Sequence, residues 1–280
     1  MKTKTYVVTG AASGIGKELV TKLSDNNIVF AGYRNKNHEA ELKLISPNIY
    51  PFYVDYNDSE TIKSASEYIL SKCTKIDTLV NIAGCVIAGP VEDINIDEIR
   101  RQFNVNVFGH IELTQGIMPI LSDGKIINIS SMASFGLFPF ISPYCASKRC
   151  LDMFFNSLLI ENKKNIKVIS IKPGVIATPL WTKSVEENSK YFDNYSDYSE
   201  EMKYVIANAQ RNRTRGLSAE KVADLIIKVD RLKNPKLSYT IGADAYLAKL
   251  VSALPQKVIN DIIKIGIKIK IFNTKKKDLV

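Results

Sequence analysis

Tyr6-Val7-Val8-Thr9-Gly10-Ala11-Ala12-Ser13-Gly14-Ile15-Gly16 is a short apolar run that stops at a glycine-rich turn and continues into an amphipathic stretch, Gly16–Ser24. Glycines at such a junction allow a tight turn. They also let backbone amides approach a pyrophosphate at the positive end of the helix. The spacing Gly-x3-Gly-x-Gly is neither G-x-G-x-x-G nor a P-loop, because no Gly-Lys-Ser/Thr follows. Taken alone, the same residues also describe a flexible loop.

The pattern repeats outward from that junction. Continuous Val/Ile-rich runs at Tyr6–Thr9, Ile28–Gly32, Ile49–Val54, Thr78–Asn81, Lys125–Ile129, Lys167–Ile171 and Leu237–Ile241 predict strands buried on both faces. Helical patterns at Ser59–Lys72, Ile96–Leu121, Tyr144–Asn162 and Ala219–Leu232 lie between them, with Asp58 or Ser59 and Ser218 as N-caps. Alternating βα units of this length predict one α/β domain, a Rossmann-type doubly wound parallel sheet of seven strands with helices on both faces. Residues 178–216 break the alternation. They carry Trp181, Tyr191, Phe192, Tyr195, Tyr198 and Tyr204, and an insertion this long predicts a lid.

The 280 residues are 45% hydrophobic and 24% charged, which excludes a disordered chain, a coiled coil and a disulfide mini-protein. No apolar run is long enough to span a bilayer, and the start Met1-Lys2-Thr3-Lys4-Thr5 shows no signal core, so a cytoplasmic location is expected. Cys73, Cys85, Cys145 and Cys150 have neither metal nor C-x-x-C spacing, which suits a reducing compartment. The net charge of +9 is uneven: residues 255–280 hold seven lysines against two aspartates.

Further motifs follow in order: Asn81-Ile-Ala-Gly84, Asn104-Val-Asn106-Val-Phe-Gly109, Asn128-Ile-Ser-Ser131, Tyr144-Cys-Ala-Ser-Lys148 and Pro173-Gly-Val-Ile-Ala-Thr178. With the glycine turn, they make residues 3–245 resemble the short-chain dehydrogenase/reductase family. The departure is Ile82, where that family's motif repeats asparagine. The resemblance implies a dinucleotide held by Gly10, Ser13, Gly14, Ile15 and Gly16, with Pro173, Gly174, Val175 and Thr178 also at the cofactor. It further implies that Asp55 holds the adenine amino group and that Asn81, Ala83 and Gly84 line the adenosine ribose. Its chemical residues would be Asn106, Ser131, Tyr144 and Lys148, with Asn106 supporting a water between Lys148 and bulk solvent.

Residue chemistry adds detail. The second strand ends in Tyr33-Arg34, with no carboxylate to repel a 2′-phosphate and a guanidinium able to clamp one, so NADP(H) is expected over NAD(H). Asn35 and Lys36 lie beside it. Tyr144 and Lys148 are one helical turn apart and share a face. A tyrosine titrates ordinarily near 10, and a nearby ammonium and the oxidised nicotinamide's charge are expected to lower that value. Ser131 can hydrogen-bond the substrate oxygen as charge develops on it. His38 and His110 are expected to be structural, as are Cys145 and Cys150: no G-x-S-x-G nucleophile turn accompanies them, and two isolated histidines make no usual zinc site.

Met132, Phe135, Leu137, Phe138, Phe140 and Ile141 lie between Ser131 and Tyr144 and predict an apolar pocket for a lipophilic small molecule. Part of this aromatic set can equally pack the lid against the sheet. The end of the chain, about 244–280, resembles the extended C-termini of hydroxysteroid and retinol dehydrogenase-like members. That implies a steroid- or retinoid-like substrate, and two alternatives stand beside it: a reductase of small ketones or aldehydes, and a non-catalytic nucleotide-binding sensor. Val258, Ile259, Ile262, Ile263 and Ile267 have helical spacing among lysines, before Lys275-Lys276-Lys277. Such an end can dock on an anionic membrane or pack beside the lid or a partner subunit. No nucleic-acid motif gathers the basic charge, so no nucleic-acid partner is expected. The resemblance implies a homodimer or homotetramer through the long helices around 96–121 and 144–162.

Overall fold

A computed structural model describes residues 3–192 and 195–277, with side chains outside the described part at 192, 196 and from 270 onward. The side chains of Phe192 and of the terminal lysines Lys275, Lys276 and Lys277 fall outside it.

The strands are β1 (Thr5–Val8), β2 (Ile28–Tyr33), β3 (Ile49–Tyr53), β4 (Thr78–Asn81), β5 (Lys125–Ile129), β6 (Lys167–Pro173), β7 (Ile176–Ala177), β8 (Leu217–Ser218) and β9 (Ser238–Ile241). Seven of them form one all-parallel sheet in the order β3-β2-β1-β4-β5-β6-β9. This is the expected Rossmann-type sheet. The order reverses between β1 and β4, and the crevice at their carboxyl ends is where such sheets hold ligands. β7 and β8 were not foreseen; each is two residues long, and they pair with each other at the lid's two ends.

The helices are α1 (Gly14–Leu23), α2 (His38–Ile45), α3 (Ser59–Lys72), α4 (Ile96–Phe103), α5 (Gly109–Ile117), α6 (Ser142–Glu161), α7 (Leu180–Phe192), α8 (Ser199–Arg215), α9 (Ala219–Arg231), α10 (Ala243–Val251) and α11 (Gln256–Lys277). Asp58, not Ser59, caps α3 by accepting from the Glu60 N–H, and Ser218 caps α9 by accepting from the Lys221 N–H. On one face of the sheet, Leu19 and Val20 of α1 meet Val222 and Ile226 of α9. On the other, Ile62 and Ile69 of α3, Leu113 and Ile117 of α5, and Leu151 and Phe155 of α6 pack together. Both faces of each central strand are therefore covered, which is why their sequences read as continuous rather than alternating apolar runs.

The expected helix Ile96–Leu121 is not continuous. A π-turn, Asn104–Phe108, interrupts it between α4 and α5, and a short 3-10 turn closes it at Met118–Ile120. Such bulges recur at functional sites, and here the widened turn carries Asn106.

Candidate functional site

Thr9, directly after β1, is fully buried, and its Oγ1 accepts from the N–H groups of Ile82 (2.9 Å) and Ala83 (3.2 Å). That pair of bonds fixes the glycine turn against the end of β4. Gly10 takes φ +64°, and a Cβ on Gly16 would stand 2.1 Å from the Gly10 carbonyl oxygen, so only glycine fits at Gly16. Ser13 is the N-cap residue of α1, yet its side chain makes no cap hydrogen bond, and the first turn has no acidic residue. The helix end therefore keeps free N–H donors and positive potential facing the crevice, the setting a pyrophosphate requires.

Two adjoining cavities run along the crevice. One of about 210 Å³ is lined by Gly10, Ser13, Gly14, Ile15, Ala83, Gly84, Ser131, Tyr144, Lys148, Pro173, Gly174, Val175 and Thr178 among others. The other, about 390 Å³, includes Gly10, Ser13, Arg34, Asp55, Ala83 and Gly84 in its wall. Of the expected site residues, Gly16, Asn81 and Asn106 do not reach either cavity. Gly16 lies beneath the turn. Asn81, 1% exposed, donates instead to Asn128 Oδ1 across the β4–β5 pair (2.8 Å). That bond ties the ends of β4 and β5 together.

Asn106 is likewise fully committed. Its Oδ1 accepts from the Cys85 N–H (2.9 Å), while its Nδ2 donates to the Cys85 carbonyl and to Ser147 Oγ, each at 3.0 Å. This fastens the segment after β4 to α6. A Cβ on Gly84 would lie 3.3 Å from Asn106 Oδ1 and 3.6 Å from Lys148 Nζ. Asn106 and Lys148 thus flank one glycine.

Lys148 is 4% exposed, and its Nζ donates to the Ile129 carbonyl (2.9 Å) at 5.9 Å from the Tyr144 ring centroid. Burial lowers its pKa to about 8, opposed by the Asp152 carboxylate. Tyr144 departs from the sequence expectation. Burial pushes the phenol up to about 12, a hydrogen bond with Ser131 being the opposing influence. The ammonium does not win in this state, and the hydroxyl keeps its proton at neutral pH. Ser131 Oγ also accepts from the Ala133 N–H (3.1 Å), which orients it.

Asp152, which sequence reasoning missed, sits one turn beyond Lys148. Its carboxylate accepts from Ser130 Oγ (3.1 Å) and Ser170 Oγ (2.9 Å) and pairs with Lys172 Nζ (2.7 Å). A carboxylate at i+4 from the lysine was the available signal. His110 is fully buried against the Ala83 carbonyl, with its pKa driven down to about 3 by burial, so it is a neutral packing residue as expected. Burial raises the thiols of Cys145 and Cys150, which also suits their structural reading.

The expected apolar wall divides. Met132, Phe138 and Ile141 line the cavity beside Tyr144. Phe135 instead lies under the Lys172 ammonium (4.7 Å), Phe140 packs edge-on to Tyr198, and Leu137 is exposed. Of the lid aromatics, Trp181 reaches the cavity while donating to the Ile176 carbonyl (2.8 Å). Tyr191 donates to Glu98 and Tyr198 to Glu92, and Tyr195 is buried against Gly89. They strap the lid to segment 89–98. Buried Ser184 and Asn188 of α7 add bonds to the Val86 carbonyl, and Lys183 of the same helix lines both cavities. No local pattern announces these polar straps, because their partners lie about a hundred residues away.

The model of the family described as short chain dehydrogenase matches residues 4–189. An "NADPH-dependent 3-dehydrocapnine reductase" of Ornithobacterium rhinotracheale is 31% identical, over 91% of this chain and 94% of that one. A "3-ketodihydrosphingosine reductase" of Bacteroides thetaiotaomicron is 28% identical, over 95% and 98%. Among solved structures, a short chain dehydrogenase from Burkholderia cenocepacia in complex with NADP superposes with TM-score 0.73 at 20% identity, covering 94% and 98%. One from Burkholderia phymatum in complex with NAD gives 0.75 at 17% identity, covering 92% and 95%. At these identities the structures speak to the fold alone, and they divide on the cofactor.

Proposed function

The chain belongs to the short-chain dehydrogenase/reductase family of oxidoreductases, and from that premise we propose that it is an NADP(H)-dependent carbonyl reductase acting on a bulky lipophilic ketone. The observation that carries the reading is that Tyr144, Lys148 and Ser131 line the same cavity as the start of α1, which has no side-chain cap. When bound, the nicotinamide cofactor supplies the hydride.

The residues of the chain do the rest. Gly10, Ser13, Gly14, Ile15 and the first turn of α1 would hold the pyrophosphate, with Thr178, whose methyl approaches Gly14, closing the turn from the lid side. Pro173, Gly174 and Val175 would face the nicotinamide, Ala83, Gly84 and Asp55 the adenosine, and Arg34 the 2′-phosphate. Ser131 donates to the carbonyl oxygen of the substrate. Tyr144, protonated at neutral pH, gives that oxygen its proton, and Lys148 offsets the phenolate charge left behind. Asn106 is a positioning residue, holding the Cys85 backbone against α6. A phenol raised by burial is protonated at neutral pH, the form in which Tyr144 must start to donate a proton.

Two relatives support ketone reduction by their names, one of them with NADPH. The apolar surface of Met132, Phe138, Ile141 and Trp181 supports a lipophilic substrate. Leu247 and Leu250 of α10, Leu254 in the turn after it, and Val258, Ile262, Ile265 and Ile269 of α11 are exposed, with Lys249, Lys257, Lys264 and Lys268 interspersed. That stripe supports peripheral contact with an anionic membrane; among the described residues no helix is long and apolar enough to cross one. Exposed Phe108, Met153, Phe154 and Ile160 on the segment 96–121 and α6 support pairing with a second copy there. Turnover of a panel of ketones with NADPH tests the substrate reading: reduction of long-chain ketones is expected, and turnover confined to small polar ketones would overturn it.

A further inference from the structure

We propose that Glu187 of the lid helix is a cofactor-specificity residue, holding a share of Arg34 in the absence of a 2′-phosphate and yielding it when one enters. This rests on the NADP(H) reading of Arg34 and adds to it the groups that decide how available Arg34 is.

Arg34, at the end of β2, is 52% exposed, and its Nη2 lies 3.9 Å from Glu187 Oε1. The other Glu187 oxygen is held more firmly. It accepts from both Nη1 and Nη2 of Arg101 at 3.1 Å, and Arg101 is in turn fixed by Glu98 (2.8 Å). Two arginines from distant parts of the chain thus converge on one lid carboxylate, which itself lines the cavity holding Arg34 and Asp55. The contacts are unequal: a close one to a half-buried guanidinium and a long one to a solvated guanidinium. Exposed pairs at such distances are worth little, so a dianion that binds Arg34 bidentately displaces the carboxylate readily.

The remaining cost is repulsion between that phosphate and the Glu187 carboxylate, which Arg101 lessens by holding one of the carboxylate oxygens. Arg101 therefore acts through Glu187 as a positioning residue, although it lies outside the cavity wall. A cofactor without the 2′-phosphate meets none of this, because nothing in it competes for Arg34. The arrangement also ties α7 to β2 and α4 at the cofactor's adenosine end, so the lid senses which dinucleotide has arrived.

The test is the binding of 2′,5′-ADP and of 5′-ADP, measured by calorimetry on the full chain. Removing one charge about 4 Å from another in water changes affinity by roughly fivefold. Glu187→Gln should therefore tighten 2′,5′-ADP by about fivefold and leave 5′-ADP unchanged. Arg101→Gln should weaken 2′,5′-ADP selectively, and the double variant should bind it as Glu187→Gln does. A Glu187→Gln protein with unaltered 2′,5′-ADP affinity, or with both ligands shifted alike, overturns the proposal. If the unaltered chain binds the two ligands equally, the Arg34 reading falls and this inference with it. If it prefers 2′,5′-ADP but is indifferent to Glu187→Gln, the inference alone falls.

Discussion

Lys148 Nζ lies 5.9 Å from the centroid of the Tyr144 ring, fastened there by a 2.9 Å hydrogen bond to the Ile129 carbonyl. The ammonium is thus anchored on the end of β5, and Ser131, two residues after Ile129, comes from the same strand end. The sheet places both partners of the phenol, and the helix α6 adds the one-turn spacing.

Because Lys148 loses its proton near pH 8 while Tyr144 keeps its own to about 12, the reductive rate should follow the lysine. With the lysine charged, below about pH 8, kcat/KM for ketone reduction should be flat. As pH rises through that value the ammonium is lost and the rate should fall. A pH profile taken with NADPH checks this; a rate rising steadily from pH 7 to 10 would contradict it.

Arg34→Gln should raise KM for NADPH by about tenfold, since a charge-assisted hydrogen bond of a half-exposed group contributes on the order of 1.5 kcal/mol. KM for NADH should stay nearly constant. Equal effects on both cofactors would place Arg34 away from the 2′-phosphate.

At the other end of the central strands, where β1 and β4 begin, Asp230 is 3% exposed and accepts from Lys4 Nζ (2.7 Å), Tyr6 Oη (2.8 Å) and Thr78 Oγ1 (2.6 Å). Removing one partner of a buried pair leaves the others uncompensated, so Asp230→Ala should cost about 3–5 kcal/mol in denaturant unfolding. Burial pushes the carboxyl up, but the bonds from Lys4, Thr78 and Tyr6 together outweigh it and hold the carboxyl below the usual aspartate value. The stabilisation is therefore full above that ordinary value and is lost as acidification passes the lower folded one. A loss under 1 kcal/mol would mean the cluster is incidental.

Much of this was legible in the sequence, for identifiable reasons. The seven sheet strands follow from apolar runs long enough to be buried on both faces, and Tyr144 and Lys148 announce themselves by a four-residue spacing within one helix. What escaped were contacts made across the fold. Nothing local in Asn81 says that its side chain pairs with Asn128. The lid itself was legible as a long aromatic insertion, but the contacts of Tyr191 with Glu98 and of Tyr198 with Glu92 join segments about a hundred residues apart. The Arg34–Glu187–Arg101 chain joins three separate segments. The π-turn at Asn106 was hidden because Ile96–Leu121 keeps helical periodicity on both sides of it.

The C-terminal stripe makes its own prediction. Full-length protein should co-sediment with vesicles containing anionic lipid, and Leu250→Glu with Ile262→Glu should abolish this while leaving turnover of a water-soluble ketone intact. Equal partitioning of both proteins would assign the stripe to another contact.

The central claim is that Tyr144 is the proton donor of an NADPH-dependent ketone reduction. The direct measurement is NADPH consumption with a long-chain ketone by the unaltered chain and by Tyr144→Phe, with NADPH affinity determined for both. General acid catalysis contributes about 10²–10⁴-fold, so the variant should lose at least a hundredfold in kcat with its NADPH affinity unchanged. A variant retaining a tenth or more of the rate, or one whose loss is explained by failed cofactor binding, would contradict the account.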